Sequence, residues 1–366
     1  MNESTSRSGS GDISGAIRRA FKRKRSEGAE AASHPTARDT ETTPQASDRE
    51  AVEPLIIGES MTTFGNEPWW TNKNWNRLPS SGGVNGLRVH NGVFGNLAVC
   101  GGSLRGRRHQ LAGQPNDDSF DITTVSDTSN NPAWLVVAVC DGVGSAAFSN
   151  AGAASTSAHA TALVAHSLRS RPSVAPEEYA NAFAAQSSQF LELLTTAVRG
   201  DIQRPQAGWT RQLEFTPPAD VATEELQTTL TVCVLRATPD TSGRYVGVVI
   251  TIGDSPALRL STSLITRLEA DNDTSDIWST ATSGVLGAHT ASVTPFDIDH
   301  ESALMVATDG IANFLTHNGS PTPLGNYMLT NWLTPVDTIS FARDLNFDLA
   351  SADDDRTAVM VWPRNE

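Results

Sequence analysis

Short unbroken apolar runs punctuate this chain, and the strongest is residues 134–140 (WLVVAVC). A brief run rich in β-branched residues predicts a strand covered on both faces. Residues 228–235 (TTLTVCVL) alternate threonine with leucine, valine and cysteine, which predicts a half-buried strand. Residues 245–252, 303–308 and 357–362 predict further strands, 97–100 a short one, and 258–268 one or two more. Helical stretches separate the first of these. Residues 150–168 are alanine-rich and suited to close packing. Residues 176–199 open with Pro-Glu-Glu, a favourable first turn, and place Tyr179, Phe183, Phe190 and Leu194 on one face. A last helix is expected over 335–345, with Val336, Ile339, Ala342 and Leu345 on its buried side. Strands come in clusters with helices inserted in pairs. That pattern predicts an α+β fold and does not suit regular βαβ winding.

The N-terminal quarter reads differently. Residues 1–53 are rich in Ser, Thr, Ala, Glu and Arg and have almost no large apolar side chains. Such a segment buries too little surface to offset its ordering entropy and is expected to be disordered. Within it, residues 17–25 (IRRAFKRKR) set Ile17 and Phe21 four apart among basic residues. This is either a solvated basic patch or an amphipathic segment making weak contact with an anionic membrane. Residues 54–96 carry Trp69, Trp70 and Trp75 among Gly, Asn and Pro. They are too aromatic for a free linker and are expected to pack as a lead-in on a main domain spanning 97–366.

Composition narrows the class. The 366 residues are 38% hydrophobic, enough for a sizeable core. No apolar run approaches the ~20 residues of a membrane-spanning helix, and the first residues lack the apolar stretch of a secretory signal. The three cysteines, Cys100, Cys140 and Cys233, lie far apart inside apolar runs. They read as buried thiols of a reducing compartment, so a cytoplasmic protein is expected. Residues 1–53 hold nine basic and nine acidic residues, so the whole net charge of −14 falls on the remainder. A body this acidic repels phosphate backbones, which argues against nucleic-acid binding. It is suited to divalent cations.

The chemistry sits where apolar strands end. Three of them run into aspartate followed by a small residue: Asp141-Gly142, Asp254-Ser255 and Asp309-Gly310. Asp353-Asp354-Asp355 leads into another strand, and Asp117-Asp118 precedes a further candidate. Any one Asp-Gly can simply be a turn. Several carboxylates gathered at a sheet rim repel one another unless a cation neutralises them. Hard oxygen donors without His or Cys select Mg²⁺ or Mn²⁺. Two such ions can clamp a phosphoryl group and generate a nucleophile at neutral pH.

The order NDD, DGVG, TT, GDS, ATDG, DDRT resembles the metal-dependent protein phosphatase family, the type 2C serine/threonine phosphatases, over roughly residues 97–363. The stretch from Arg107-Arg108-His109 through Gly113, Pro115 and Asp118 is similar to the bacterial branch. The resemblance implies a four-layer sandwich, two antiparallel sheets flanked by helix pairs. It implies Asp141 bridging two Mn²⁺ or Mg²⁺ ions, the Gly142 carbonyl on one of them, and Asp309 and Asp354 completing the ligands of the second ion. Asp117 takes the place of the usual Glu, and Asp118 would hold metal-bound water. Asp118 and Asp141 are the candidate catalytic residues. The implied reaction is attack on a phosphoserine or phosphothreonine of a phosphorylated protein by hydroxide bridging the two ions, with no covalent intermediate. A third ion is left open, and a monomer is expected.

There are departures from the family pattern. Val143 stands where many members carry His, Pro256 replaces the Arg of the GDSR turn, and Gln227 replaces a Gly before Thr228-Thr229. Gly113 occupies the position of the usual phosphate-binding arginine, so Arg107, Arg108 or His109 is expected to bind phosphate instead. Two rivals follow: an inactive phosphatase-fold protein that binds a phosphoprotein or signalling partner, and a haloacid-dehalogenase-like phosphotransferase. The second lacks the required DxDxT nucleophile motif. His159, His166, His289 and His300 are expected to be structural, and no GxSxG elbow supports a serine hydrolase.

Overall fold

The computed structural model describes residues 86–203, 220–269 and 284–364. Residues 1–53, with the basic segment 17–25, and residues 54–85, with the three tryptophans, lie outside the described residues. Every strand pairing described is antiparallel. A six-stranded sheet runs β1 (Leu87–Phe94), β2 (Leu97–Leu104), β13 (Arg356–Pro363), β10 (Ala303–Ala307), β7 (Ala257–Ser261), β8 (Leu264–Arg267). A five-stranded sheet runs β3 (Ser119–Ser126), β4 (Pro132–Cys140), β5 (Leu230–Arg236), β6 (Tyr245–Ile252), β9 (Ser292–Ile298). A small hairpin, β11 (Thr316–His317) with β12 (Ser320–Pro321), stands apart.

The helices are α1 (Arg107–Ala112), α2 (Ser149–Arg169), α3 (Pro176–Ala185), α4 (Ser187–Gln203), α5 (Asp309–Ala312), α6 (Pro323–Asn331) and α7 (Thr338–Leu345). Three apolar layers bind them together. Leu135, Val137 and Val139 of β4 meet Leu304, Val306, Val359 and Val361 between the sheets. Trp134, Val136 and Ala138, the alternate side chains of β4, pack on α2 and α4 through Val164, Leu168, Leu194 and Val198. Met305, Met360 and Trp362 pack outward on Leu324, Met328, Phe341 and Leu345 of α6 and α7. Both faces of each central strand are covered, which is why those runs are apolar without interruption. The result is helices, sheet, sheet, helices, in agreement with the α+β four-layer expectation. Helix α2 approaches closely because a Cβ on Gly152 would lie 1.9 Å from the Leu226 carbonyl oxygen. All three cysteines are buried and unbridged, and among the described residues no helix is long and apolar enough to cross a membrane.

Four expectations are corrected. The boundary at residue 97 falls inside the β1–β2 hairpin, whose register pairs Phe94 with Leu97, so the sheet begins by Leu87. The single helix over 176–199 is two helices, broken at Gln186 (φ −116°, ψ 10°). The helix over 335–345 starts only at Thr338, where the Asp337 carboxylate accepts from the amides of Ile339 and Ser340 as an N-cap. Its buried residues are Phe341, Asp344 and Leu345, while Ile339 is 82% exposed.

Candidate active site

Topology gathers the acidic residues. β3 runs antiparallel to β4, so Asp117-Asp118 before β3 and Asp141 after β4 lie at one end of the five-stranded sheet, with Ser119 opposite Cys140. β13 runs antiparallel to β10, so Asp354-Asp355 before β13 and Asp309 after β10 lie at one end of the six-stranded sheet, with Ala307 opposite Ala358. The sheets stack with these ends together. The carboxyls of Asp141 and Asp309, one from each sheet, hydrogen-bond to each other. The Thr308 hydroxyl also crosses between the sheets and donates to Asp118 Oδ2 at 2.8 Å.

Two hydroxyl ladders hold this rim. In the first, the Thr357 amide donates to Thr308 Oγ1 (3.0 Å), the Thr357 hydroxyl donates to Ser103 (2.7 Å), and the Asn116 side-chain amide donates to the same Ser103 oxygen (2.8 Å). In the second, the Asp141 amide donates to Thr229 Oγ1 (2.9 Å), which pairs with Ser255 Oγ (2.8 Å). Thr228 Oγ1 and the Thr229 amide both donate to the Asp141 carbonyl. The threonine pair and the Asp-Ser turn therefore fix the backbone of Asp141. Gln227 fills the place of the expected glycine, accepting from the Val143 amide and donating to the Leu286 carbonyl.

The electrostatics follow from crowding. The carboxyls of Asp118 and Asp141 are pushed well above the ordinary range, first by burial and then by neighbouring carboxylates. Asp309 is raised by burial and by Asp354. Asp117 is raised to about 6, mainly by burial, although His109 opposes the shift and Ser149 hydrogen-bonds to it. Asp254 adds to the negative field at Asp309. Among the described residues no three acidic, His or Cys side chains converge as a ready-made metal cage. The donor set is nonetheless all oxygen, half-buried to buried and mutually repelling, which suits a hard divalent cation.

Asp355, the central residue that sequence reasoning missed, organises the other side of the rim. Its buried carboxylate accepts from the Gly106 amide (2.6 Å), the Asp117 amide (2.5 Å) and His109 Nδ1 (2.8 Å). The His109 imidazole is raised, first by this bond to Asp355. Gly106 is required here, because its Cβ would fall 2.2 Å from the Asp354 carbonyl carbon. The run of three aspartates signalled the loop but not which member turns inward.

The three basic candidates separate. Arg107 is buried and pairs with buried Asp348 at 2.5 Å, an arrangement that does not favour the phosphate contact expected of it. His109 also faces inward, with Nε2 3.9 Å from Asp117 Oδ2. Arg108 alone stands at the surface, and its Nη2 contacts both oxygens of Asp354 at 2.9 Å. Gly142 is buried against Asp117, whose carbonyl oxygen would lie 2.6 Å from an added Cβ. Of the remaining histidines, His159 bonds Asp201 between α2 and α4, and His300 lies edge-on to Tyr245.

A sandwich of two antiparallel sheets with an acidic rim at the strand ends is the architecture expected of a type 2C phosphatase. The family profile described as Protein phosphatase 2C matches residues 105–346. The chain belongs to that family, the metal-dependent serine/threonine protein phosphatases. The search of curated proteins returned no match. Among solved structures, the chain is similar to a bacterial serine phosphatase (10% identity, 76% of this chain and 98% of that one, TM-score 0.45). It is also similar to RsbX in complex with magnesium (12%, 75% and 98%, TM-score 0.41) and to the serine/threonine phosphatase Stp1 from Staphylococcus aureus (10%, 76% and 95%, TM-score 0.42).

Proposed function

We propose that this chain removes phosphate from phosphoserine and phosphothreonine in proteins, using two Mn²⁺ or Mg²⁺ ions held at the acidic rim. The observation that carries the reading is the meeting of Asp141 and Asp309, carboxyls from different sheets, within one cluster that also contains Asp118 and Asp354. Asp141, Asp309, Asp354 and the Gly142 carbonyl would hold the ions, with Asp117 beside them. Bound there, such ions supply Lewis-acid charge and activate the water nucleophile. Thr229 and Ser255 fix the Asp141 backbone, and Thr308 orients Asp118. Asp355 and His109 set the position of Asp117. Arg108 is the surface cation placed to orient the phosphate through its planar fork.

Turnover of a phosphothreonine peptide by the full chain tests this. Activity should need Mn²⁺ or Mg²⁺ and vanish in EDTA. Asp141→Asn and Asp309→Asn should each lower it by at least the ~10–100-fold that loss of a metal's outer-shell partner costs. Activity in EDTA, or full turnover by both variants, overturns the proposal. Val143 at the usual His position favours the rival reading of an inactive phosphatase-fold binder. That reading predicts an intact fold with no bound Mn²⁺ and no turnover in any metal.

A further inference from the structure

A cavity of about 390 Å³ opens between the two sheets at their β1 and β3 edges, and it shares no residue with the acidic rim. Its walls come from strands of both sheets, and on the β1 side they include the exposed residues 90–93. Phe94 of β1, Val99 of β2, Phe120 and Ile122 of β3 and Leu135 of β4 make an apolar chamber. Polar lining comes from Asp121 and Thr124 of β3 and from β1, where the register puts Arg88, His90, Gly92 and Phe94 on the same face as Ser103, Gly101, Val99 and Leu97. Val99 and Leu97 belong to the core between the sheets, so Arg88 and His90 lie on the inter-sheet side of β1, Arg88 half-buried and His90 exposed at the mouth.

The Arg88 guanidinium lies over the Phe120 ring, 4.5 Å from its centroid. His90 meets the same ring edge-on, with centroids 6.1 Å apart. To the described residues, Arg88 makes no hydrogen bond or ion pair. The Asp121 carboxylate acts on it through space. Asp121 lines the chamber too, but its Oδ2 is engaged, accepting from Thr161 of α2 at 2.5 Å. A chamber of this size falls within the range of small-molecule sites, which pair apolar walls with a few orienting polar groups. A half-buried guanidinium whose donors are unbonded among the described residues is the group that recognises a carboxylate through two parallel hydrogen bonds. The aromatic wall beneath it favours a flat, apolar ligand body.

We propose that this inter-sheet cavity binds a small aromatic carboxylate, its ring between Phe94, Phe120 and Leu135 and its carboxylate on Arg88. Gly92 provides the means of blocking it, because a Cβ there would meet nothing within 4 Å. A leucine at that position can grow into the chamber without displacing backbone. The probe is 2-naphthoate, with 2-naphthamide as its neutral counterpart, titrated calorimetrically into the full chain. Saturable binding of the carboxylate is expected, with the amide weaker by about 10-fold or more, the loss of one charge-assisted pairing. Arg88→Met should bring the two ligands to equal affinity, and Gly92→Leu should abolish both while leaving phosphatase turnover in place. Failure of the wild-type chain to bind, equal affinity for acid and amide, or unchanged binding by Gly92→Leu overturns the proposal. If Gly92→Leu lowers the melting temperature, the comparison of acid with amide in wild type and Arg88→Met still decides. Unchanged discrimination in Arg88→Met would mean that its inward charge serves only to protect an edge strand from pairing.

Discussion

Raising the pH of the metal-free protein should weaken it, and the acidic rim sets the sign. The Asp117 carboxyl titrates at about 6, against an ordinary 3.8, chiefly because it is buried. A group raised in the folded state holds its proton more tightly there than in the unfolded chain. The stability it contributes is full below pH 3.8 and is lost as pH rises through about 6. The whole displacement corresponds to about 3 kcal/mol. Between pH 5.5, safely above a sequence pI near 5.0, and pH 8, Asp117 alone accounts for about 1 kcal/mol. Asp118, Asp141 and Asp309 are displaced in the same direction and add to the loss. Raised His109 does too.

Urea unfolding followed by circular dichroism, in EDTA at half-unit steps from pH 5.5 to 8, measures this slope. Millimolar Mg²⁺ should flatten or reverse it, because the cation binds deprotonated carboxylates. At 100 times its dissociation constant the cation adds about 2.7 kcal/mol. The double variant Asp141→Asn/Asp309→Asn should lose the cation effect and the share of the slope owed to those two carboxyls, while the share of Asp117 and His109 stays. A metal-free stability that stays flat or rises across this range, or a double variant with the wild-type slope, would refute the crowded-carboxylate account.

Asp355→Asn should cost about 1–3 kcal/mol by leaving at least one buried donor facing an amide, and an NMR titration should show the His109 imidazole falling back toward its ordinary value. Gly106→Ala should cost about 1–3 kcal/mol or more through overpacking against the 353–355 loop, with turnover falling alongside the melting temperature. Ile339→Ser, on the exposed side of α7, should change unfolding free energy by no more than about 0.5 kcal/mol.

What the chain reveals on inspection depends on how many neighbours each residue has. β4, β6, β10 and β13 are covered on both faces, so their apolar runs match the observed strands to within a residue or two. β1 and β9 went unnoticed because they are edge strands. β1 sets Arg88 and His90 on its inter-sheet side, and β9 carries Pro295, which only an edge tolerates. The break at Gln186 was hidden because Tyr179, Phe183 and Phe190 still form one aromatic cluster across it. At the site, strand-end aspartates were readable as a set. Their individual partners were not: Arg107 looks like part of a solvated basic run, yet buried Asp348, 241 positions away, claims it. Likewise, nothing local distinguishes Asp355 from Asp354, since only the approach of Gly106 and Asp117 selects the inward one.

The Thr308–Asp118 bridge and the Asp141–Asp309 contact both span the seam where one β-layer rests on the other. Under the proposed function, catalytic competence is then a property of how the layers are docked, and neither layer can possess it alone. A partly loosened chain whose strands persist but whose halves have slid apart would keep its circular dichroism and lose its affinity for divalent ions. Cation uptake could therefore serve as a sensitive gauge of whether a freshly made molecule has closed correctly.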